Sequence, residues 1–353
     1  PAVVDAVSKA VQAVVGDIIP DADYDERRGR VLDHVKSVLG DFGVPPPFVP
    51  PSMQPFGSSA NGFGSESSDI DVCLMWHDRT GRTIPSPWDP AEVVEAAAGR
   101  LGAAGMTNVK SRSTARIPIV SFQEPTTGTD VDLCGIANNL AIRNTQMLRQ
   151  YAKVDPRVRE LGFMLKHWAS LRCINNPAES TLSSYGYLLM LLSMLQRRPT
   201  PVIPNLQAMP PHWNGTGGFH AVAVEGLPRH PVRNLKEVEW NTYFFQPSSV
   251  RLFCAALVLA HTPPHPSQAD ALTSVAQHNT ESVGLLLLEW FYYYAFVFDS
   301  RRHVVSVRPT TAATANRPLH KDEKASMCFW STRPGISVED PFEADYDVAH
   351  VLR

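Results

Sequence analysis

The chain has 353 residues, 44% hydrophobic and 19% charged, with 32 basic against 35 acidic side chains and a formal charge of −3. That length suits two packed domains and is too great for a single disulfide-stapled module. The slight acidic excess excludes a globally basic nucleic-acid coat but leaves room for a local basic groove.

Two amphipathic segments open the sequence, 5–15 and 23–39, with Val and Leu at helical spacing and charge on the other face. A proline cluster at 45–51 ends helical structure. Strand and helix signals then alternate. A strand is expected over 70–75, a helix from the Asp89-Pro90 start to about residue 104, and short strands over 117–122 and 129–134 around a turn at 124–128. Beyond residue 138 the pattern is mostly helical, with helices over 140–151, 158–171, 184–196, 250–260 and 282–298. The Pro-, Gly- and His-rich stretches 199–231 and 263–266 and the tail from residue 308 read as irregular. The best domain boundary lies near residue 140. The expected organisation is N-terminal helices packing on the core (1–40), an α/β domain (41–138), and a mostly helical domain (139–353) with an irregular insertion near 199–279. No apolar run reaches the roughly eighteen residues of a membrane span; the best candidate, 284–298, carries Glu289, and no membrane partner is expected. The five cysteines (Cys73, Cys134, Cys173, Cys254, Cys328) form no C-x-x-C pair, which points away from disulfides and zinc and toward a reducing compartment. The chain opens on Pro1 rather than Met, so its ends say nothing about targeting.

The chemistry concentrates in Phe56-Gly57-Ser58-Ser59-Ala60-Asn61-Gly62, followed by Ser68-Asp69-Ile70-Asp71-Val72. Strand alternation puts Asp69 and Asp71 on one face. Two like charges side by side need a counter-charge, and a divalent cation is the simplest. Thr129-Asp130-Val131-Asp132-Leu133 repeats the pattern on a second strand, and Asp132 could complete a three-carboxylate, two-metal site for in-line phosphoryl displacement. Upstream, glycine permits close backbone approach, and the amides and hydroxyls of Ser58 and Ser59 can hold a phosphate. No G-K-[ST] follows, so this is not a Walker loop.

This combination resembles the nucleotidyltransferases built on the polymerase-beta palm, and more narrowly the non-canonical poly(A) polymerases and terminal uridylyltransferases. Further blocks carry the likeness: Asn139-Leu140-Ala141-Ile142-Arg143-Asn144-Thr145, Leu165-Lys166-His167-Trp168-Ala169 through Ile174-Asn175, and Thr181-Leu182-Ser183-Ser184-Tyr185-Gly186-Tyr187. Pro201-Val202-Ile203-Pro204-Asn205-Leu206, the helix 285–298 and Asp340-Pro341-Phe342-Glu343 extend it. The resemblance implies a mixed α+β and α/β architecture, with a polymerase-beta-like palm, a mostly helical poly(A)-polymerase-associated domain, and a nucleotide cleft between them. It implies Mg²⁺ or Mn²⁺ on Asp69, Asp71 and Asp132, with Asp132 helping to activate an RNA 3′ hydroxyl for attack on the α-phosphate of UTP. It assigns nucleotide contacts to Ser58 and Ser68 near the phosphates, Asn144 at the ribose 2′-hydroxyl, Lys166 and Ser184 at the triphosphate, and Tyr185 stacked on the base; Ser59, Thr145 and Arg172 are further nucleotide-binding candidates. From pattern alone, Tyr185 reads as core, Lys166 and His167 as a solvated face, Asn144 as a cap, and Trp168 and 290–294 as packing.

Asp340 and Glu343 share a side if their backbone is helical. Carboxylates accept and cannot donate, so they suit a uracil N3–H and not the adenine N1. The alternative is that Asp340 caps a helix and Glu343 is solvated. Kinetoplastid uridylyltransferases carry such a pair. That likeness, with no room for an inserted domain between Asp71 and Asp132, points to an editing-associated type, with an editing ribonucleoprotein complex as partner and the mitochondrion, otherwise the cytoplasm, as compartment. The chain departs from the family at Ser170, where a second lysine is usual and Arg172 lies nearby, and at His350, where relatives have Arg. Seven basic residues between 143 and 172 (Arg143, Arg149, Lys153, Arg157, Arg159, Lys166, Arg172) could line a wall for RNA phosphates. Weak, salt-sensitive RNA binding and short additions are expected. An ATP-using poly(A) polymerase and a non-catalytic scaffold are the alternatives.

Overall fold

A six-stranded mixed sheet, in the order β1-β2-β6-β5-β4 with β3 beside β2, forms the first half of the chain. The computed structural model describes residues 2–40, 51–81, 83–84, 86–115, 117–135, 139–209, 231–233, 239–241, 243–246, 278–308, 318–324, 333–343 and 345–352. The expected helix over 250–260, the stretch 263–266, most of the proline cluster at 45–51 and most of 199–231 lie outside these residues. The chain divides into two compact units: Ile18–Arg149 with Arg233–Glu237, and Pro1–Asp17, Gln150–Val232 and Val238–Arg353.

In the first unit, α2 (Tyr24–Leu39) buries the stripe Tyr24, Arg28, Val31, Val35 and Leu39. The strands are β1 (Ser52–Phe56), β2 (Ile70–His77), β3 (Thr83–Ile84), β4 (Thr107–Arg112), β5 (Ile119–Gln123) and β6 (Asp130–Cys134). Alternation on β2 sends Ile70, Val72, Leu74 and Trp76 into a core with α2 and with Val93, Val94, Ala97 and Leu101 of α3 (Pro90–Ala103). Pro90 opens α3, and the Asp89 carboxylate caps it by accepting from Ala91 N at 2.8 Å. The opposite face of the sheet carries Asp71, Cys73 and Met75. Cys73 and Cys134 there pack with Ile142 of α4 (Asn139–Val154), which leaves the aspartate end of that face polar.

The sequence pattern missed three strands of this sheet: β3, only two residues long, and the longer β1 and β4. β1 is an edge strand that contains Pro55, tolerable only because one side needs no amide. β4, Thr-Asn-Val-Lys-Ser-Arg, has almost no apolar alternation and lies at the other edge.

The second unit contains α1 (Ala2–Ile18), α5 (Pro156–Leu171), α6 (Ser184–Gln196) and α7 (Val283–Tyr292), the last continuing into a π turn at Tyr293–Val297. α6 is apolar nearly all round, and everything from Gly186 to Leu195 is buried. At the crossing of α1 and α7, Ser8 Oγ accepts from Gly284 N at 3.1 Å; a Cβ on Gly284 would meet the α1 backbone at 2.5 Å. The tail expected to be irregular contains short strands, β9 (His303–Val304) pairing β10 (Leu319–His320). A separate two-stranded ribbon pairs β7 (Pro231–Arg233) with β8 (Glu239–Asn241). Among the described residues, no helix is long and apolar enough to cross a membrane.

Candidate active site

β2 and β6 run parallel, in a register that sets Asp71 directly beside Asp132. Asp69 stands just before β2. Its carboxylate and those of Asp71 and Asp132 offer oxygens that all lie within 4.8 Å of one another. Asp71 is pushed up to about 7, first by burial and then by the charges of Asp69 and Asp132; Asp69 is also raised, by burial and then by Asp132. Three acidic groups crowded in this way call for a counter-charge. Hard oxygen donors at this spacing fit Mg²⁺ or Mn²⁺, which would keep all three ionised near neutral pH.

The turn after β1 is shaped around this trio. Gly57 has φ +71°, and a Cβ there would lie 2.0 Å from Asp71 Oδ2, so only glycine allows the backbone to pass so close. Gly57 O accepts from the amides of Ala60 and Asn61 at 3.2 and 3.1 Å, which closes the turn. Gly57 N donates to Thr145 Oγ1 at 2.9 Å, and that hydroxyl donates to Ala141 O at 2.7 Å. Thr145 is buried and braces the Gly57 turn from α4, while Asn144 beside it is half-buried. Ser59 Oγ donates to Phe56 O at 3.4 Å, and Ser68 Oγ accepts from Ser65 N at 2.9 Å, so both hydroxyls stabilise their own turns. Ser58 is half-buried at the tip of the turn.

The other predicted site residues lie in the second unit. The Tyr185 hydroxyl donates to Asp340 Oδ2 at 2.9 Å, while Asp340 Oδ1 accepts from the amides of Phe342 and Glu343, both at 2.9 Å. Burial, then the charge of Asp340, pushes the Tyr185 phenol well above its ordinary range. The backbone at 340–343 is a bend and not a helical turn, so the shared-side argument for Asp340 and Glu343 fails. Asp340, 4% exposed, caps the bend and fixes the Tyr185 ring. Ser183 caps α6 by accepting from Gly186 N at 3.1 Å, and Ser184 Oγ accepts from Asn175 Nδ2 at 3.3 Å. Lys166 is half-buried on α5, and Arg172 is exposed at its C-terminal end.

One member of the expected basic wall is otherwise engaged. Arg157 binds the Asp155 carboxylate at 2.7–3.2 Å, Asn279 Oδ1 at 2.9 Å and Glu281 O at 2.6 Å. It holds its own unit together and is not available for RNA. Sequence reasoning also missed Arg28, whose Nη2 donates to the carbonyls of Ser68 and Asp69 at 2.5 and 2.6 Å. The signal was an arginine inside the apolar stripe of α2.

Comparison with known proteins agrees with this geometry. Residues 7–153 match the family described as "Poly(A) RNA polymerase, mitochondrial-like, central palm domain", and residues 282–346 match "Cid1 family poly A polymerase". Human terminal uridylyltransferase 7 is 30% identical over 323 residues, covering 90% of this chain and 18% of that protein. Poly(A) RNA polymerase GLD2 of Danio rerio is 32% identical over 286 residues, covering 81% of this chain and 47% of that protein. The chain thus spans less than half the length of these relatives. A solved structure of the Cid1 poly(U) polymerase bound to Mg 3′-dATP aligns with TM-score 0.70 and 26% identity, over 98% of this chain and 88% of that one. Cid1 in complex with the UTP analogue UMPNPP aligns equally well, at 25% identity. The fold and site define a polymerase-beta-like nucleotidyltransferase with a helical associated domain. Residues 7–153 and 282–346 thus resemble the palm and associated domains of the Cid1-like poly(A) polymerases and terminal uridylyltransferases.

Proposed function

We propose that the chain transfers UMP from UTP to the 3′ hydroxyl of RNA, without a template, through two divalent ions held by Asp69, Asp71 and Asp132. The observation that carries this is the convergence of the three carboxylates within 4.8 Å beside the positive-φ Gly57 turn. When bound, the ions would polarise the α-phosphate and the acceptor hydroxyl and neutralise charge on the leaving pyrophosphate. The 3′ oxygen forms a bond to the α-phosphorus, the bond to the bridging oxygen breaks, and the hydroxyl proton leaves on the Asp132 side.

Sheet order supports a direction for this displacement. The phosphate-side turn follows β1 and lies against Asp71, so in-line attack brings the acceptor from beyond Asp132, over β5 and β4. Ser121 pairs with Asp132 across β5, and Lys110 pairs with Ser121 across β4, roughly 10 Å from Asp132 by strand spacing. Arg112 donates to Ser121 Oγ at 2.7 Å from the same edge. These cations suit the phosphates of an RNA end.

The uracil preference is supported by the uridylyltransferase relatives; Asp340 is engaged by Tyr185 and the amides of its own bend, so the acceptor-only chemistry falls to Glu343. The second reading, adenylyl transfer, is favoured by the similarity to GLD2. Extension of a labelled RNA with each of the four nucleotides tests the choice: UTP incorporation well above ATP supports uridylyl transfer, and the reverse refutes it. The kinetoplastid, editing-associated assignment rests on the presence of Asp340 and Glu343 in the sequence and on an Asp71–Asp132 spacing that leaves no room for an inserted domain; an editing ribonucleoprotein as partner and a mitochondrial address belong to it. Co-purification and organelle fractionation of the tagged protein are its tests.

A further inference from the structure

Arg28 is the charged member of the stripe that α2 buries, and it is only 8% exposed. A guanidinium in such a place must be held by specific partners. Its Nη2 binds two consecutive carbonyls, Ser68 O at 2.5 Å and Asp69 O at 2.6 Å, immediately before β2. Its Cζ lies over the Tyr24 ring, 4.8 Å from the ring centre, which fixes its direction. One residue earlier, Arg27 binds both oxygens of Glu66 at 2.8 and 2.9 Å, so α2 grips the 65–69 turn at two points. The carbonyls that Arg28 holds belong to the two residues three and two positions before Asp71, one of them Asp69 itself.

We propose that Arg28 is a positioning residue for the metal-binding carboxylates: its contact with Ser68 O and Asp69 O sets the start of β2, and with it the placement of Asp69 and Asp71 against Asp132. This rests on the proposed reading of the trio as a divalent-ion site. It goes beyond that reading by placing part of the site's preorganisation on a helix that touches no substrate. A positioning role and a charge-only role predict opposite signs. Arg28 is a like charge to the incoming ion, so if charge alone mattered, Arg28→Gln would tighten metal binding and Arg28→Lys would leave it unchanged. If the two-carbonyl contact matters, both variants weaken binding, because an ammonium cannot reproduce the planar fork stacked on Tyr24.

The experiment is Mn²⁺ binding to the full chain without nucleotide, followed by electron paramagnetic resonance, for the parent, Arg28→Lys, Arg28→Gln and Asp132→Asn. Thermal melts establish which variants are folded at the temperature of titration. The expected result is Mn²⁺ affinity lower by about 10-fold or more in both Arg28 variants, the range of second-shell losses. In RNA extension, the metal concentration for half-maximal rate rises to match, while KM for UTP at saturating metal stays within about 3-fold. Parental affinity in Arg28→Lys, or tighter binding in Arg28→Gln, overturns the role of Arg28 if Asp132→Asn has lost Mn²⁺. Should Arg28→Gln fail to fold, Arg28→Lys decides alone. Parental Mn²⁺ binding by Asp132→Asn overturns the metal site itself, and Arg28's role with it.

Discussion

Gly57→Ala is the most informative single substitution, because the structure separates its effect on folding from its effect on chemistry. The residue has φ +71°, a conformation that costs a non-glycine residue about 1–2 kcal/mol. The added methyl would lie 2.0 Å from Asp71 Oδ2, 2.9 Å from its Cγ and 3.2 Å from its Cβ. Ordinary contact needs about 3.5 Å, so the carboxylate must swing away by well over 1 Å. Rotating one side chain costs the fold little, and stability should fall by only about 1–2 kcal/mol, or a few degrees in Tm. The same rotation takes a metal-binding oxygen out of register. A 1 Å misplacement costs about 100-fold in rate, equivalent to roughly 2.7 kcal/mol of barrier. Extension of a labelled RNA by UTP, with kcat and KM determined separately, should show kcat lower by about 100-fold or more in a protein that still melts cooperatively. A Gly57→Ala variant within about 3-fold of parental kcat would refute the claim that the turn and Asp71 form one fitted site.

Asp69→Ala, Asp71→Ala and Asp132→Ala should each abolish incorporation while leaving circular dichroism unchanged; Asp71→Asn should also raise the Tm of the metal-free protein, because it removes charge from a crowded trio. Tyr185→Ala should raise KM for UTP by about 10-fold or more through lost stacking, whereas Tyr185→Phe should keep most UTP affinity and lower Tm, since Asp340 Oδ2 loses its donor; unchanged UTP affinity in Tyr185→Ala would refute stacking. Glu124 sits buried at the β5–β6 turn; burial opposes its ionisation, but hydrogen bonds from Thr127, the amide of Thr126 and His34 outweigh this and hold it at about 2. Its folded value lies below its unfolded one, so its stabilisation is present above about pH 4.5 and is lost as pH falls toward 2. Glu124→Gln should melt below the parent at pH 6, with the two curves converging toward pH 2.5; a constant gap would contradict this. Lys110→Ala with Arg112→Ala should raise KM for RNA and flatten its salt dependence, leaving KM for UTP unchanged.

The aspartates were legible because each lies in a D-x-D repeat on or just before a strand whose alternation shows in sequence, as Ile70, Val72 and Leu74 alternate with Asp71 and Cys73. That β2 and β6 are parallel neighbours was not legible, since α3 and three strands intervene and only the closed sheet sets Asp71 beside Asp132. Helices with strong caps were read nearly to the residue: α6 begins at Ser184 after the Ser183 cap, and α3 follows Asp89-Pro90. β1 and β4 escaped because an edge strand tolerates Pro55 and polar side chains on both faces. The Tyr185 ring is held by Asp340, 155 residues away, and local periodicity describes only an apolar helix there. Charge counting misjudged Arg157 for the same reason, because its partners Asn279 and Glu281 are distant in sequence.

The central claim is that Asp69, Asp71 and Asp132 together hold the ions that drive nucleotidyl transfer. A crystal of the chain soaked with Mn²⁺ and a non-hydrolysable UTP analogue, with data collected at the manganese absorption edge, examines it directly. Two anomalous peaks in contact with these three carboxylates, one of them also touching the α-phosphate, are the predicted result. Manganese absent from the trio, or bound elsewhere with the nucleotide in place, would contradict it.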